Sequence, residues 1–306
     1  MLAFPDTWHM TVTIVLLCLL AERFLLEYQE RRQARWFFAY DHWLERQNLP
    51  GWMRQGFGGV ISLLLPPLLI ISILQLFLND ALFGLPVALF AGLVLLFSLG
   101  PVDLDDQIKR FTEAQLSGNA EQAGSIARDL LQDEPPSSEP TYSQALAGSV
   151  LEQANNRIFA VIFWFLILGP MGAALYRLAS HLPRLQHASQ ELDFMLTSER
   201  LIAILNWLPA RITAFVYAIA GSFEDALYGW RSYQERRHDE FKTSASGILI
   251  CAGTGALRLS SLLEQEPSGA GATDAHYLAE AAMGLVWRSL MVWLVLLGVF
   301  SLAGWA

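Results

Sequence analysis

The chain has 306 residues, of which 54% are hydrophobic and 16% charged, with ten tryptophans and a formal net charge of −9. This composition excludes an ordinary soluble protein, and the acidic balance excludes a nucleic-acid-binding protein, which needs a basic surface. Cys18 and Cys251 stand in apolar surroundings and predict no disulfide framework, and the six histidines lack metal-ligand spacing. We therefore predict an all-α, polytopic integral membrane protein with no cofactor and no metal site.

Six apolar stretches are candidate membrane spans, because a helix needs about 20 apolar residues to cross a hydrocarbon core of about 30 Å. In chain order the candidate spans are 8–26, 57–79, 84–100, 158–180, 201–221 and 286–303. The short sequence NDALFG joins the second span to the third and predicts an antiparallel hairpin. The fifth span contains Asn206, Pro209 and Arg211, so five crossings or a re-entrant segment stay open beside six.

The distribution of basic residues favours six crossings. Lys and Arg then gather in three large loops, with five in residues 27–56, four in 101–157 and five in 222–285. The opposite side would hold only Arg184 and Arg200. By the positive-inside rule the three large loops are predicted to be cytoplasmic.

The loops themselves show helical patterns. Leu104, Ile108 and Phe111 share one helical face, SGN at 117–119 breaks that helix, and Asn119 with Gln122 has capping-box spacing for a second one. The stretches DEPPSSEP and EQEPSGAGATD predict loops. We predict three regions: an N-terminal three-span membrane region (1–100), a cytoplasmic helical hairpin with the helix leading into the fourth span (101–157), and a C-terminal membrane region (158–306) with the cytoplasmic loop 222–285.

A polar cluster precedes the fourth span. In a helix through this segment, Ser149, Glu152, Asn155 and Asn156 fall at i, i+3, i+6 and i+7 and share one face, and Arg157 follows them. Polar groups at the mouth of an apolar helix indicate a ligand-binding or catalytic position. The alternative is that Glu152 and Arg157 only cap the helix at the membrane interface.

A second polar cluster lies inside the fifth span. Arg211 needs a carboxylate or phosphate partner there, because an unpaired charge in a membrane segment is costly. Pro209 is predicted to kink the helix and to free backbone carbonyls near Asn206. The candidate ligand-binding residues are therefore Glu152, Asn155, Asn156, Arg157, Asn206 and Arg211. Snorkelling of Arg211 to the interface is the alternative.

Two common catalytic patterns are missing. The segment GTGALRLSS lacks the lysine of a phosphate-binding P-loop, and GSFED has no preceding strand for a nucleophile elbow. These absences disfavour a P-loop nucleotide site and a serine hydrolase.

Several segments resemble the CobD/CbiB family, the membrane-bound adenosylcobinamide-phosphate synthases of cobalamin assembly. LNWLPARITAFVYA at 205–218 is similar to that family's NW-hydrophobic-PARLTA signature. Residues 149–178 resemble its ENTSDGVVAPLFW…GAPGALLYR stretch and keep Glu152, Phe163-Trp164 and the register from Gly169-Pro170 to Tyr176-Arg177. Residues 111–131 and SASGILICAGTGALRL at 244–259 resemble two further family segments, so the resemblance covers about residues 100–300.

The departures from the family pattern bear on catalysis. The family's Asn-Thr-Ser-Asp-Gly is replaced by Gln153-Ala154-Asn155-Asn156-Arg157, so an amide stands where a carboxylate is expected. Replacing a carboxylate by an amide removes general-base capacity and a negatively charged oxygen ligand for a divalent ion. AERFLLEYQ at 21–29 and ILNWLPARITAFVYAIAGSFEDAL at 204–227 resemble one branch of the family, the AmpE branch. That resemblance implies a protein of the bacterial inner membrane linked to β-lactamase induction and cell-wall recycling.

Three hypotheses follow. In the preferred one the chain is a regulatory or sensor protein without catalytic residues, which binds a cell-wall-derived or phosphate-bearing ligand. The alternative is a residual CobD/CbiB-like transferase or ligase, with Glu152 as general acid and base and a divalent ion near Asp103, Asp105 or Asp106. A transporter is the third and is disfavoured because the two halves show no inverted repeat. The partners expected are membrane lipid and the small ligand, with no nucleic acid and with a homo-oligomer left open.

Overall fold

The structure, a computed structural model, describes residues 6–24, 35–47, 50, 56–79, 85–99, 101–131, 139–185, 192–235, 244–259 and 275–303. Within these ranges the chain is helical and contains no strand, which confirms the predicted all-α class. The helices are α1 (Asp6–Phe24), α2 (Arg35–Arg46), α3 (Gly56–Asn79), α4 (Leu85–Ser98), α5 (Pro101–Leu116), α6 (Ala120–Leu131), α7 (Glu139–Ala154), a π-helical turn (Asn155–Phe159), α8 (Ala160–Leu168), α9 (Pro170–His181), a 3-10 turn (Leu182–Arg184), α10 (Leu192–Ala220), α11 (Phe223–Glu235), α12 (Ala245–Ala256) and α13 (Ala275–Ala303).

Three predicted connections lie mainly outside the described residues. They are the turn NDALFG and the loops DEPPSSEP and EQEPSGAGATD. The segment 25–34, which follows the first predicted span, lies outside them as well.

The length and apolarity of the helices confirm a polytopic membrane protein. Among the described residues, four helical segments are long and apolar enough to cross a membrane: Gly56–Leu78, Tyr142–Leu168, Leu192–Ala220 and Ala275–Ser301. Shorter apolar helices are Thr11–Ala21, Pro86–Ser98 and Ala245–Ala256. The sequence left the stretch 201–221 open, and its residues 201–220 are part of one long helix, α10. The number of crossings and their direction stay predictions.

The predicted fourth span differs from the structure in both its start and its end. The helical run begins at Glu139, well before residue 158, and passes through the π-helical turn. It ends at Leu168, because Gly169 has a φ of +66° and Pro170 starts a new helix. A proline at the first helical position and a glycine with positive φ both favour such a break. The segment 158–180 therefore comprises the end of the π-helical turn and two helices, α8 and α9.

The helices form two compact units, each made of segments that are separate along the chain. Unit one comprises residues 1–100, 160–206 and 301–306, and unit two comprises residues 101–159 and 207–300. The three predicted regions were drawn from membrane sidedness, a property that these units do not test.

Unit one has an apolar core where α2 and α3 pack with the end of α9 and the start of α10. Its buried side chains are Phe37, Val60, Leu63, Leu64, Leu178, Leu182, Leu185 and Phe194. Elsewhere on α3, Ile70, Leu76 and Phe77 are 66%, 72% and 78% exposed, which is the pattern of a helix facing lipid. Pro66 inside α3 has no N–H for the carbonyl of Ser62, and the Tyr40 hydroxyl donates to that carbonyl at 3.3 Å.

Unit two contains the predicted helical hairpin of α5 and α6. Leu104, Ile108 and Phe111 are buried along one face of α5, as their spacing predicts. The backbone N–H of Gln122 donates to the Asn119 side chain at 3.2 Å, which confirms Asn119 as the N-cap of α6. The hairpin therefore forms where the sequence places it.

In unit two, α11 and α12 pack so closely that their backbones are in contact, because glycines line the interface between them. A Cβ at Gly229 would lie 2.3 Å from the carbonyl oxygen of Cys251, and one at Gly255 would lie 2.4 Å from that of Asp225. At the end of this hairpin the Ser222 hydroxyl donates to Asp225 at 2.5 Å, and the Arg258 guanidinium donates to the same carboxylate at 2.8 Å.

The Asp225 interactions predict a pH-dependent stability of unit two. The hydroxyl of Ser222 and the guanidinium of Arg258 hold the pKa of the Asp225 carboxyl below its usual range. Because the folded pKa is the lower one, this stabilisation is complete above the ordinary carboxyl pKa of about 4 and is lost as the pH falls through the folded value. We expect Asp225→Asn to reduce the loss of thermal stability that unit two shows on acidification below about pH 4.

Thermal unfolding of purified protein at a series of pH values measures this effect. The ion pair between Asp225 and Arg258 is exposed to solvent. Added salt should therefore also reduce the difference in thermal stability between the wild type and the variant. Identical pH profiles for the two proteins would contradict the prediction.

Candidate functional site

The first predicted polar cluster lies where α7 passes into the π-helical turn. A π-helical turn inserts an extra residue into a helix, which turns the following side chains, and such turns occur frequently at functional sites. Here the turn holds Asn155, Asn156 and Arg157, and Glu152 precedes it on the last turn of α7. The sequence periodicity predicted a regular α-helix through these residues. The structure has a π-helical turn there instead.

Glu152 is held by the first turn of α12. Its carboxylate is half-buried and accepts a hydrogen bond from the Ser246 hydroxyl. Ser246 is placed by the N-terminus of α12, where the side chain of Ser244 accepts a hydrogen bond from the backbone N–H of Gly247 at 3.3 Å. The capped end of α12 therefore presents a hydroxyl to the carboxylate of Glu152.

Asn155 is held by α10. Its side chain is fully buried, and the Thr213 hydroxyl donates to its Oδ1 at 3.0 Å. Its Nδ2 donates to Oδ1 of Asn156 at 3.3 Å. One turn after Thr213, the buried Tyr217 hydroxyl donates to the backbone carbonyl of Leu151 at 2.8 Å. Two side chains of α10 thus hold α7 and the π-helical turn by hydrogen bonds.

Arg157 connects the turn to the hairpin of α5 and α6. Its Nη1 donates to Oε1 of Gln107 on α5 at 3.2 Å, and its Nη2 donates to Oε1 of Gln153. Gln153 in turn donates from Nε2 to the backbone carbonyl of Leu130 at the end of α6. Two neutral amide oxygens therefore help to orient the guanidinium.

Asn206 lies in unit one, where it accepts a hydrogen bond from Tyr176, another residue of that unit. The Tyr176 hydroxyl donates to Oδ1 of Asn206 at 2.6 Å. Next to it, the Trp164 indole N–H donates at 3.0 Å to the carbonyl of Leu205, which is four residues before Pro209. Because proline has no N–H, that carbonyl has no helical partner. The prediction that Pro209 frees a carbonyl beside Asn206 is confirmed.

Arg211 makes its described contacts within its own helix. Its Nη1 donates to the carbonyl of Trp207 at 2.7 Å, and its Cζ lies 4.1 Å from the centre of the Trp207 ring. Trp207 is 52% exposed, so this part of α10 faces outward. The placement of Arg211 beside Glu152 and the amides stays a prediction.

The acidic residues suggested for a divalent ion make ion pairs along α5. Asp105 pairs with Lys109 at 2.6 Å, and Asp106 pairs with Arg110 at 2.8 Å. The side chain of Asp103 lies outside the described part of the chain. Across the described ranges, no three His, Cys, Asp or Glu side chains come close enough to hold a metal ion.

Sequence reasoning missed the partners that hold the cluster. They are Gln107, Gln153, Thr213, Tyr217 and Ser246. Thr213 and Tyr217 stand in the segment 205–218, and Ser246 stands in 244–259, two of the segments that carry the family resemblance. That resemblance was the signal that could have selected them, whereas Gln107 had no signal.

These segments agree with the comparison to known proteins. Residues 15–265 match the protein family described as CobD/Cbib protein. The chain belongs to the CobD/CbiB family. A cobalamin biosynthesis protein CobD from Chromobacterium violaceum is 36% identical over 169 residues, which cover 52% of this chain and 53% of that protein. The protein of the same name from Stutzerimonas stutzeri is 31% identical over 179 residues, which cover 55% and 56%.

The similarity to the CobD relatives covers only part of each protein. The chain spans about half the length of the curated relatives it matches. No solved structure matches it. The names of these relatives concern cobalamin biosynthesis, and none of them concerns β-lactamase induction.

Proposed function

We propose that this CobD/CbiB-family membrane protein binds a phosphate-bearing substrate at the polar cluster of unit two and catalyses a transferase or ligase step of cobalamin biosynthesis. The observation that carries the proposal is the hydrogen bond between Glu152 and Ser246. It joins two segments that are 94 residues apart and that both resemble the family. The names of the relatives support the choice of pathway.

The geometry suggests a division of roles within the cluster. Glu152 is a half-buried carboxylate oriented by a hydroxyl, which suits a general acid and base. Arg157 is a guanidinium oriented by two amide oxygens, and its planar set of donors suits a phosphate group. Asn156 is half-buried beside them and can direct hydrogen bonds to a polar ligand without adding charge.

A growth experiment tests this function. The chain is expressed in a bacterium that lacks its own CobD, on medium where growth requires cobalamin synthesis. We expect the wild-type chain to restore growth and Glu152→Gln to abolish it, because the amide cannot exchange a proton with the substrate. Glu121→Gln, at an exposed carboxylate in the first turn of α6, is the matched control and should keep growth.

Two results would count against the proposal. If the wild-type chain reaches the membrane and restores no growth, the CobD-type reaction is wrong. If Glu152→Gln supports growth as well as the wild type, the role assigned to Glu152 is wrong.

A second function, that of the AmpE branch, is favoured by the composition of the π-helical turn. Asn156 and Arg157 replace the carboxylate and the glycine of the family pattern. We propose as the second candidate an inner-membrane regulatory protein that uses the same cluster to bind a cell-wall-derived or phosphate-bearing ligand. It would act in β-lactamase induction and cell-wall recycling without turnover.

The second candidate predicts a phenotype for Arg211. This candidate adds Arg211 to the cluster as a second ligand charge. In a strain whose β-lactamase induction depends on this chain, Arg211→Ala should therefore abolish the induction response at unchanged membrane expression. Arg288→Ala is the control, since Arg288 also donates to a carbonyl of its own helix, that of Gly284 at 3.3 Å. A wild-type response from Arg211→Ala would exclude this role.

A further inference from the structure

Two buried donors on α13 have no acceptor in the described part of the chain. Ser289 is 0% exposed and Trp293 is 7% exposed, and they stand four residues apart, so they share one face of the helix. The Ser289 Oγ and the Trp293 Nε1 are both shielded from solvent and lack a hydrogen-bond partner among the described residues. Buried polar atoms are hydrogen-bonded in the great majority of cases, so two such atoms one turn apart need an explanation.

Comparable donors elsewhere in the chain are satisfied. Ser72 and Ser98, on the apolar helices α3 and α4, donate to the carbonyls four residues before them at 2.9 and 2.8 Å. The indole N–H of Trp164 donates to the Leu205 carbonyl at 3.0 Å. Ser72, Ser98 and Trp164 therefore have acceptors. Ser289 and Trp293 lack one among the described residues, as does Ser198 on α10, but only Ser289 and Trp293 are two such donors one turn apart.

Their neighbourhood is the π-helical turn of unit two. The Trp293 ring stacks on the Phe159 ring, with centroids 6.3 Å apart and an interplanar angle of 21°. Phe159 also meets Tyr217 edge to face, at a centroid distance of 6.0 Å. Asn155 begins the same turn and is fully buried. Trp293 thus lies against the end of the turn that carries the candidate site.

We propose that Ser289 and Trp293 form a binding subsite for a neutral hydrogen-bond acceptor, such as the carbonyl oxygen of an amide group in a bound ligand. An indole N–H can only donate and a hydroxyl can donate beside it, so the pair selects an acceptor. Both donors are neutral, and burying an anion against two neutral donors costs more than burying a carbonyl. The subsite is therefore distinct in chemistry from Arg157, and it holds under either candidate function.

Nuclear magnetic resonance of the tryptophan indole groups tests the subsite, with N-methylacetamide as the probe. Protein labelled with ¹⁵N-tryptophan is titrated in detergent micelles, and Trp293→Phe assigns the Trp293 signal. We expect the probe to move the Trp293 indole proton downfield in a saturable way, toward the position of the hydrogen-bonded Trp164. Ser289→Ala should weaken the apparent affinity several-fold, and Ser289→Thr, which keeps the hydroxyl, should restore it.

Internal controls separate this result from misfolding and from unspecific binding. The Trp164 signal reports the folding of unit one in each variant, recovery of binding in Ser289→Thr shows that unit two is folded, and the exposed Trp207 reports contact of the probe with the surface. Ser198→Ala removes another buried serine hydroxyl, in unit one, and should leave the Trp293 response unchanged. The proposal is overturned if Trp293 shows no saturable shift, or if its proton already lies downfield without the probe because water or protein satisfies it.

Discussion

Replacing Gly229 by alanine is expected to destabilise the packing of α11 on α12 and to weaken the candidate site with it. The new Cβ would lie 2.3 Å from the carbonyl oxygen of Cys251, a backbone atom that cannot move away alone. Overpacking of this kind costs about 1 to 3 kcal/mol in the free energy of unfolding, which exceeds the gain of about 1 kcal/mol in helix propensity. Because α12 carries Ser246, its displacement should also loosen the hydrogen bond to Glu152.

The measurement is the unfolding midpoint of the purified protein in detergent, by heat or by denaturing detergent. The matched control is Gly124→Ala on α6, where a Cβ would meet nothing within 4 Å. That change should stabilise the protein by about 0.5 to 1 kcal/mol, because alanine loses less conformational entropy than glycine in a helix. Equal midpoints for the two variants would show that α11 and α12 do not pack at backbone distance.

The hydrogen bond between Thr213 and Asn155 is expected to show a large coupling in a double-mutant cycle. Both side chains are fully buried, and the bond is the described link from α10 to the side chain of Asn155. Asn155→Leu leaves the Thr213 hydroxyl without this acceptor, and Thr213→Val leaves the Asn155 oxygen without this donor. Each single change should cost about 1 to 3 kcal/mol in the free energy of unfolding.

The double variant separates this bond from the other contacts of Asn155. With both partners apolar, it should be more stable than the sum of the single changes predicts, by at least about 0.5 kcal/mol. Thr254→Val is the control, because its hydroxyl donates to the Ile250 carbonyl of its own helix at 2.7 Å. The change that Thr254→Val makes in the free energy of unfolding should add to the change made by Asn155→Leu. Additivity in the Thr213 cycle would rule out the bond as a stabilising contact.

Local patterns were sufficient for the helices that lie outside the apolar spans. The buried face of α5 and the cap of α6 follow from residues within a few positions of each other, so their spacing predicts them. The freed carbonyl beside Asn206 was predictable for the same reason, because Pro209 acts on its own helix. For these three features, prediction and structure agree.

The candidate site was only partly predictable. The sequence selected Glu152, Asn155, Asn156 and Arg157, and the structure places them together at the end of α7 and on the π-helical turn. Periodicity could not predict the π-helical turn, because it assumes the same helical repeat along the whole segment. The break at Gly169 was missed because an apolar run of 158–180 has the length of one span, and hydropathy does not register a positive φ.

The sequence by itself determined that this chain is an all-α membrane protein of the CobD/CbiB family. Hydropathy, spacing and motifs depend only on residues that are close together along the chain. Only the tertiary structure decided the partners of the polar groups. Ser246 reaches Glu152 across 94 positions, and Thr213 reaches Asn155 across 58. A buried polar atom takes whichever donor or acceptor the packing of helices brings within hydrogen-bond distance, and that packing depends on the whole fold.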